Sequence, residues 1–511
     1  MRRPILFVLI SAIIILFGTG SATPVAAGGN DDNSADSRYE VDWQAFSFRS
    51  IGPALTSGRV SDFAVNPEDH SEFYVASASG GVWKTTDGGT TFEPVFDSEG
   101  SYSIGHVAMD PKNHNVVWVG TGENNNQRSV SYGDGLYKTI DGGKSWKKMG
   151  LENSEHIGMI EIHPENSDIV YVAAYGPLWN AGEDRGLYKT TDGGETWERV
   201  LHVDEHTGIN EVHMDPRDPK TLYATSHQRR RRTWTYIGGG PGSAVYKSTD
   251  GGENWRKIMK GLPNGNHIGR IGMDISPANP DVLYAIVDAS EGEGFYRSTD
   301  RGESWTKRSD YSTSSNYYQE IFADPQDVDR VYSMNTFGQV TVDGGKSWNS
   351  MGTKNRHVDD HALWINKDRP ENMLIASDGG IYETENRGET WRYFSNLPIT
   401  QFYKVAVDSA KPFYNIYGGT QDNFTLGGPS RTVDPIGISN AEWQVTKRGD
   451  GFEPQVDPKN PNIVYAQSQY GVLARFDKQS GELMSIQPQP PEGEHAYTWN
   501  WNSPLEVSPH D

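Results

Sequence analysis

The chain has 511 residues, a formal net charge of -22 and no cysteine. That acidity argues against general nucleic-acid binding, and the missing thiols exclude disulfides and a lipidated cysteine, so packing alone must stabilise the fold. The length allows more than one domain.

The first 27 residues read as a secretory signal: Arg2 and Arg3, an apolar run from Ile5 to Phe17, and a cleavage point after Val25-Ala26-Ala27. No membrane span is expected once it is removed, and the mature protein is expected to be secreted or periplasmic. Residues 28–40 lack apolar periodicity and read as a disordered leader.

From residue 41 the chain repeats. Alternating strands run into turns such as Asn66-Pro67-Glu68-Asp69 and Asp110-Pro111-Lys112-Asn113 and continue into a second strand such as Phe73-Tyr74-Val75-Ala76. A third strand, for example Gly81-Val82-Trp83-Lys84, leads into a short box, and a fourth follows. The boxes read Thr85-Asp87-Gly89-Phe92, Thr139-Asp141-Gly143-Trp146, Thr190-Asp192-Gly194-Trp197, Ser248-Asp250-Gly252-Trp255, Ser298-Asp300-Gly302-Trp305, Thr341-Asp343-Gly345-Trp348 and Thr384-Asn386-Gly388-Trp391. They recur every 43 to 58 residues, the mark of one supersecondary unit in an array. Each makes sense as a hairpin turn in which Asp accepts backbone N–H bonds, Gly supplies a conformation a side chain would hinder, and the aromatic packs between units. The box carboxylates therefore read as structural. The pattern predicts an all-β fold: a β-propeller of four-stranded blades, seven-bladed, over residues 41–399.

These boxes resemble the Asp-box, or BNR, repeats of sialidases, of sortilin-type ectodomains and of the tandem-propeller xyloglucanases of glycoside hydrolase family 74. The resemblance is strong over about residues 59 to 395. It implies fold more than function, since one scaffold carries unrelated activities.

After Trp391 the boxes stop while strand patterns continue. Gln401–Val407, Tyr414–Gly419 and Phe424–Leu426 suggest an eighth unit, and Ile463–Ala466 a ninth with a different hairpin at Arg475–Glu482. Residues 400–511 are expected to be the first units of a second, truncated propeller with an unpaired strand at its edge. Trp43–Ser50 reads as a strand that could close the first ring, although unit seven has its own candidate in Arg392-Tyr393-Phe394.

In such a blade, loops 1-2 and 3-4 emerge on one face and loops 2-3 and 4-1 on the other. The boxes occupy loop 3-4, so the working face is the opposite one. Long 2-3 insertions at residues 122–134, 176–185 and 227–242 should gather there. The third holds Arg229, Arg230, Arg231 and Arg232 with Trp234; Trp179 and Glu123 come from the others. Arg forks with aromatic rings suit a carboxylate or a sugar, against a solvated loop as the plain alternative. At the heads of inner strands stand Arg59, Arg270 and the segment His357-Val358-Asp359-Asp360-His361. If extended, that segment projects His357, Asp359 and His361 from one side, about 6.6 Å apart, enough for polar-ligand binding, metal binding or acid-base work. Asp450 heads an inner strand of unit nine, and Gln421 with Asp422 follows the second strand of unit eight.

Two functions fit these residues. The favoured reading is an exported propeller that recognises a glycan or protein ligand; the alternative is a glycoside hydrolase working between two propellers with Asp450 and Asp359 or Asp360 as its acids. No cofactor and no resident metal is expected. Where family 74 shows an Asp before Gly-Gly after the second strand of unit one, this chain reads Ser77-Ala78-Ser79-Gly80-Gly81, a departure that weakens the carry-over.

Overall fold

Strand Val60–Val65 pairs antiparallel with Phe73–Ser77, which pairs with Val82–Thr85, and that with Glu93–Pro94. The same four-strand order recurs over residues 104–148, 157–201, 207–257, 268–309, 321–350 and 360–393, and again over 404–447 and 455–485. A computed structural model describes residues 49–510, apart from 53–54 and 128–129. The signal segment, the 28–40 leader and Trp43 to Phe48 lie outside the described residues.

The second strand of most blades is buried along its whole length, as in Phe73–Ser77, Val117–Thr121 and Val170–Ala174. Both faces of each sheet are covered by neighbours, so such a strand reads as a continuous apolar run and not as an alternation. Seven apolar layers result. Trp118, Leu136, Ile157 and Val172 join blades two and three, and Tyr332, Met351, Leu363 and Ile375 join blades six and seven. Phe63 and Val75 of the first blade pack with Leu374, Ile381 and Phe394 of the seventh, which closes the ring. Blade seven carries its own fourth strand, Arg392–Tyr393.

Neighbouring inner strands are not laddered to one another, and carboxylates bridge them. Asp62 accepts the Val107 amide at 2.9 Å, Glu211 accepts Met273 at 2.8 Å and Asp274 accepts Ala323 at 2.7 Å. Each satisfies a buried backbone donor of the next blade.

All seven boxes lie between the third and fourth strands. In the first, Thr85 Oγ1 accepts the Gly89 amide at 2.9 Å, while Asp87 accepts the Thr91 amide at 2.9 Å and the Thr91 hydroxyl at 2.7 Å. Hydrogen bonds from the Thr196 hydroxyl and amide hold Asp192 down to about 2. Asn386 does the same work without charge, accepting the Thr390 amide at 2.9 Å and donating to its hydroxyl at 2.9 Å. The box aromatics reach back to the preceding blade: the Trp146, Trp197 and Trp305 indole N–H groups donate to the Val95, Met149 and Ile258 carbonyls at 2.6, 2.7 and 2.9 Å.

The eighth and ninth sheets depart from expectation. Each is a complete four-stranded sheet, because Gln444–Lys447 returns as a fourth strand in one and Leu483–Ser485 in the other. What lies open is the inner strand Lys404–Val407, where Val405 and Val407 are more than half exposed.

Two outcomes follow from this packing. A Cβ on Gly194, at φ +98°, would sit 2.5 Å from Trp118 Cη2, so Gly194→Ala should cost about 2–4 kcal/mol, read as a lower denaturant midpoint at unchanged slope. Burial pushes Glu211 up to about 8, against the opposing charge of Arg270. A raised carboxyl contributes stability below its unfolded pKa and loses it as pH climbs through the folded value. The Glu211 contribution should therefore be lost between about pH 4.5 and 8, so the difference in melting temperature between the protein and Glu211→Gln should shrink or reverse across that window.

Candidate active site

Loop 2-3 of blades one, two and seven, the 4-1 connector entering blade one, and loop 2-3 of the eighth sheet surround a cleft of about 260 Å³. It opens on the loop face opposite the boxes. Its floor is Arg59, which donates from Nε and Nη2 to the two oxygens of Asp378 at 2.5 and 3.0 Å and from Nη1 to Glu123 at 3.0 Å. The Tyr317 ring lies 5.3 Å from the guanidinium. His361 Nε2 is 2.8 Å from Asp378 Oδ1, and the Tyr318 ring stacks on that imidazole at 5.4 Å. Glu123 also accepts the Ser131 amide at 3.1 Å.

The eighth sheet supplies the opposite wall. Thr420–Asn423 turns sharply, with Asp422 at φ +63° and Phe424 at φ +75°. The Asp422 amide lies 3.3 Å from Asp450 Oδ1, and the Gly451 amide donates to the Thr420 carbonyl at 2.8 Å. Asn423 donates across the cleft to the Asp378 carbonyl at 2.7 Å. Tyr403 donates to Gln421 at 2.6 Å and stacks on Phe452 at 5.7 Å.

Three carboxyl groups meet here in opposite states. Burial opposes charge on Asp378, yet Arg59 and His361 outweigh it and hold the group well below the ordinary carboxylate range. Burial raises Asp422, and the negative charges of Asp378 and Asp450 raise it further. Asp450 is also raised by burial, with the Asp422 hydrogen bonds opposing and the charges of Asp359 and Asp378 adding to it. Burial and like charge thus push Asp422 and Asp450 toward the neutral form beside an Asp378 held low, and a carboxyl group raised in this way is suited to donating a proton.

The sequence expectations divide. Arg59, Glu123, Gln421 and Asp422 line the cleft, with Asp450 behind Asp422 and His361 behind Asp378. Asp360 is not exposed to the cleft: it is fully buried, paired with Arg356 Nη1 and, at 2.9 Å, Nη2. His357, Asp359 and His361 do not share one side of a strand, because Asp359 has φ +65° and the strand Asp360–Ile365 is bulged at its start. Asp359 instead accepts the Tyr318 hydroxyl at 2.5 Å, and His357 Nδ1 lies 2.6 Å from the Val358 carbonyl. Among the described residues no three His, Asp or Glu side chains converge as a metal site requires. Arg270 is buried against Glu320 and the Tyr318 carbonyl, and Arg229 is wholly internal, donating to the Asn125 and Gly176 carbonyls at 2.9 and 3.0 Å. Arg230, Trp179 and Trp234 lie outside the cleft lining.

Asp378 is the residue that sequence reasoning missed. Its signal was present: Ser377-Asp378-Gly379-Gly380 follows the second strand of blade seven, which is the Asp-Gly-Gly pattern sought in blade one.

Fold and cleft define an Asp-box β-propeller with a carboxyl-rich cleft on its loop face. Residues 134–262 match the family described as "Sortilin, neurotensin receptor 3". A xyloglucanase of Acetivibrio thermocellus is 27% identical over 250 residues, covering 45% of this chain and 28% of that protein. A probable oligoxyloglucan-reducing end-specific xyloglucanase of Neosartorya fischeri is 24% identical over 226 residues, covering 42% of this chain and 25% of its own length. The matched stretch thus spans about a quarter of these relatives. The structure is similar to the family 74 xyloglucanase of Xanthomonas campestris, with a TM-score of 0.62 at 15% identity over 88% of this chain and 70% of the other. It also resembles the family 74 enzyme of Niastella koreensis, with a TM-score of 0.57 at 17% identity over 84% and 67%. The chain resembles both the sortilin and the family 74 kinds, and its curated relatives favour the hydrolase alternative over the recognition reading.

Asp360 carries a test of its structural role. Arg356→Ala leaves a buried carboxylate unpaired and should destabilise the protein by about 3–5 kcal/mol, whereas replacing both partners with apolar side chains should cost clearly less in the same denaturation experiment.

Proposed function

We propose that the protein is a glycoside hydrolase acting outside the cytoplasm on a β-glucan of the xyloglucan type. The observation that carries this reading is the meeting of Asp378, Asp422 and Asp450 at one cleft, where burial and like charge raise the last two while Arg59 and His361 hold Asp378 low. The names of the curated relatives support the substrate class, and the signal-like first 27 residues support export. The eighth and ninth sheets are the first blades of a second propeller under this reading, with the cleft between the two.

The chemistry needs two carboxyl functions. The Asp422 amide lies 3.3 Å from Asp450 Oδ1, too close for the two residues to face each other across a sugar, so they act together as the proton donor. Glu123, on the other side of Arg59, supplies the second function. A water gives its proton to Glu123 as its oxygen attacks the anomeric carbon. The glycosidic C–O bond breaks, and the departing oxygen takes the proton held by the aspartate pair. Arg59 stands between the two functions, bonded to Glu123 and to Asp378, and Tyr403 offers a ring for a bound sugar to stack on.

Release of reducing ends from xyloglucan and from unsubstituted β-glucans tests the proposal. Asp422→Asn, Asp450→Asn and Glu123→Gln should each lower kcat by about 10²–10⁴ while the fold persists. The rate should fall on the alkaline side as the raised pair loses its proton, and Asp422→Asn should abolish that limb. Binding of these polymers with no turnover, unchanged by the three substitutions, would return the protein to the recognition reading that the match of residues 134–262 supports.

A further inference from the structure

A second polar recess lies outside the cleft, in the insertion of blade four. There Arg230–Arg232 and Thr235–Ile237 form a two-stranded hairpin, with Arg230 opposite Ile237, Arg231 opposite Tyr236 and Arg232 opposite Thr235. Successive residues of a strand face opposite sides. The odd-numbered arginines turn inward: Arg229 stacks on Tyr175 at 3.4 Å, and Arg231 stacks on Tyr236 at 4.3 Å and donates from Nε to the Asn126 carbonyl at 2.7 Å. The even-numbered residues Gln228, Arg230 and Arg232 turn to the other side, where with His206, Ile237 and the base of Arg229 they line a recess of about 150 Å³.

This recess has surplus positive charge on an acidic protein. Neither Arg230 nor Arg232 has a carboxylate within 4 Å among the described residues; Glu205 lies nearby but faces His206 at 3.5 Å and is largely exposed. Arg230 Nε and His206 Nδ1 are buried atoms with no hydrogen-bond partner. Two like charges side by side, with donors left unsatisfied, are costly unless an anion completes them. Aromatic rings stand close by in the chain: Trp234 at the hairpin tip is 80% exposed, and Trp179, 40% exposed, follows Leu178, whose carbonyl accepts the Arg231 amide at 2.9 Å.

We infer that this recess is an anionic-sugar subsite, in which Arg230 and Arg232 bind the carboxylate or sulfate ester of an acidic polysaccharide and Trp234 stacks on a neighbouring ring. Arg pairs match the oxygens of either group, and the exposed indole selects a pyranose over an acidic peptide. The subsite is independent of the cleft and of its chemistry.

Affinity electrophoresis and calorimetry of the protein with polygalacturonate, chondroitin sulfate, neutral dextran and polyglutamate test it. Binding is expected to at least one of the first two, weakening as salt rises, and absent for dextran. Polygalacturonate alone would identify the carboxylate as the ligand, chondroitin sulfate alone the sulfate. Arg230→Gln with Arg232→Gln should weaken binding by about tenfold or more, Trp234→Ala should weaken it measurably, and Ile237→Glu, which puts a negative charge at an exposed position in the recess, should abolish it without lowering the melting temperature. No binding to either acidic glycan, binding untouched by these variants, or equal binding of polyglutamate lost in the same variants would overturn the inference.

Discussion

The ring depends on one meeting, that of its seventh blade with its first. On the box side an aromatic contact and a hydrogen bond join them: Phe92 and Phe394 lie edge to face at 6.0 Å, and Asn396 donates to the Thr90 carbonyl at 2.8 Å. At the loop end of the same seam, Arg59 and Asp378 add a bidentate ion pair between residues 319 apart in sequence. Both partners are largely buried, so removing either one leaves an unpaired charge, at a cost of about 3–5 kcal/mol. The seam and the cleft floor are the same two side chains. A site built there inherits the rigidity of ring closure and needs no separate framework.

That ion pair also sets the protonation of its surroundings. Arg59 is shared between Asp378 and Glu123, and His361 is committed to Asp378. A further carboxyl group entering the seam meets negative charge without an available cation. Asp422 and Asp450 are those groups, and burial with like charge drives both toward the neutral form. The opposite shifts of the floor and the wall therefore follow from the ratio of cations to carboxylates, with the positive-φ turn at Asp422 bringing the wall close enough to feel it.

Repetition made the fold legible. Box spacing revealed seven blades because each box satisfies its own turn locally, through contacts no more than four residues apart, so its pattern survives in sequence. Strand polarity put Arg59 and Asp450 at strand heads and Asp422 after the second strand of unit eight, and Arg59 and Asp422 line the cleft with Asp450 behind. Long-range pairing was not visible. Asp360 and Asp359 are adjacent in sequence, but one is taken up by Arg356 four residues earlier and the other by Tyr318 on a different blade. A left-handed residue at Asp359 broke the strand parity on which the His357–His361 reading rested. Asp378 was passed over because its Asp-Gly-Gly turn sits in blade seven, and only ring closure brings blade seven beside blade one.

The arginine run shows the same limit from the other side. Four consecutive cations read as one basic patch, yet strand parity divides them into two roles. Arg229 ties the blade-two insertion to the blade-three loop through the Asn125 and Gly176 carbonyls, and Arg185 donates to the Tyr175, Pro177 and His206 carbonyls from the same layer. These cations are neutralised by carbonyl dipoles and aromatic faces with no carboxylate in contact, and burial lowers Arg229 to about 10 and Arg185 to about 9. Such a core holds three long insertions in register where a hydrophobic core would need more bulk than loops of Gly, Asn and Ser contain. With Arg229 and Arg231 committed inward, Arg230 and Arg232 are held at fixed positions on the other side of the strand. The inner pair thus fixes the backbone that carries the outer pair, so an anion that binds there has only the Arg230 and Arg232 side chains left to order.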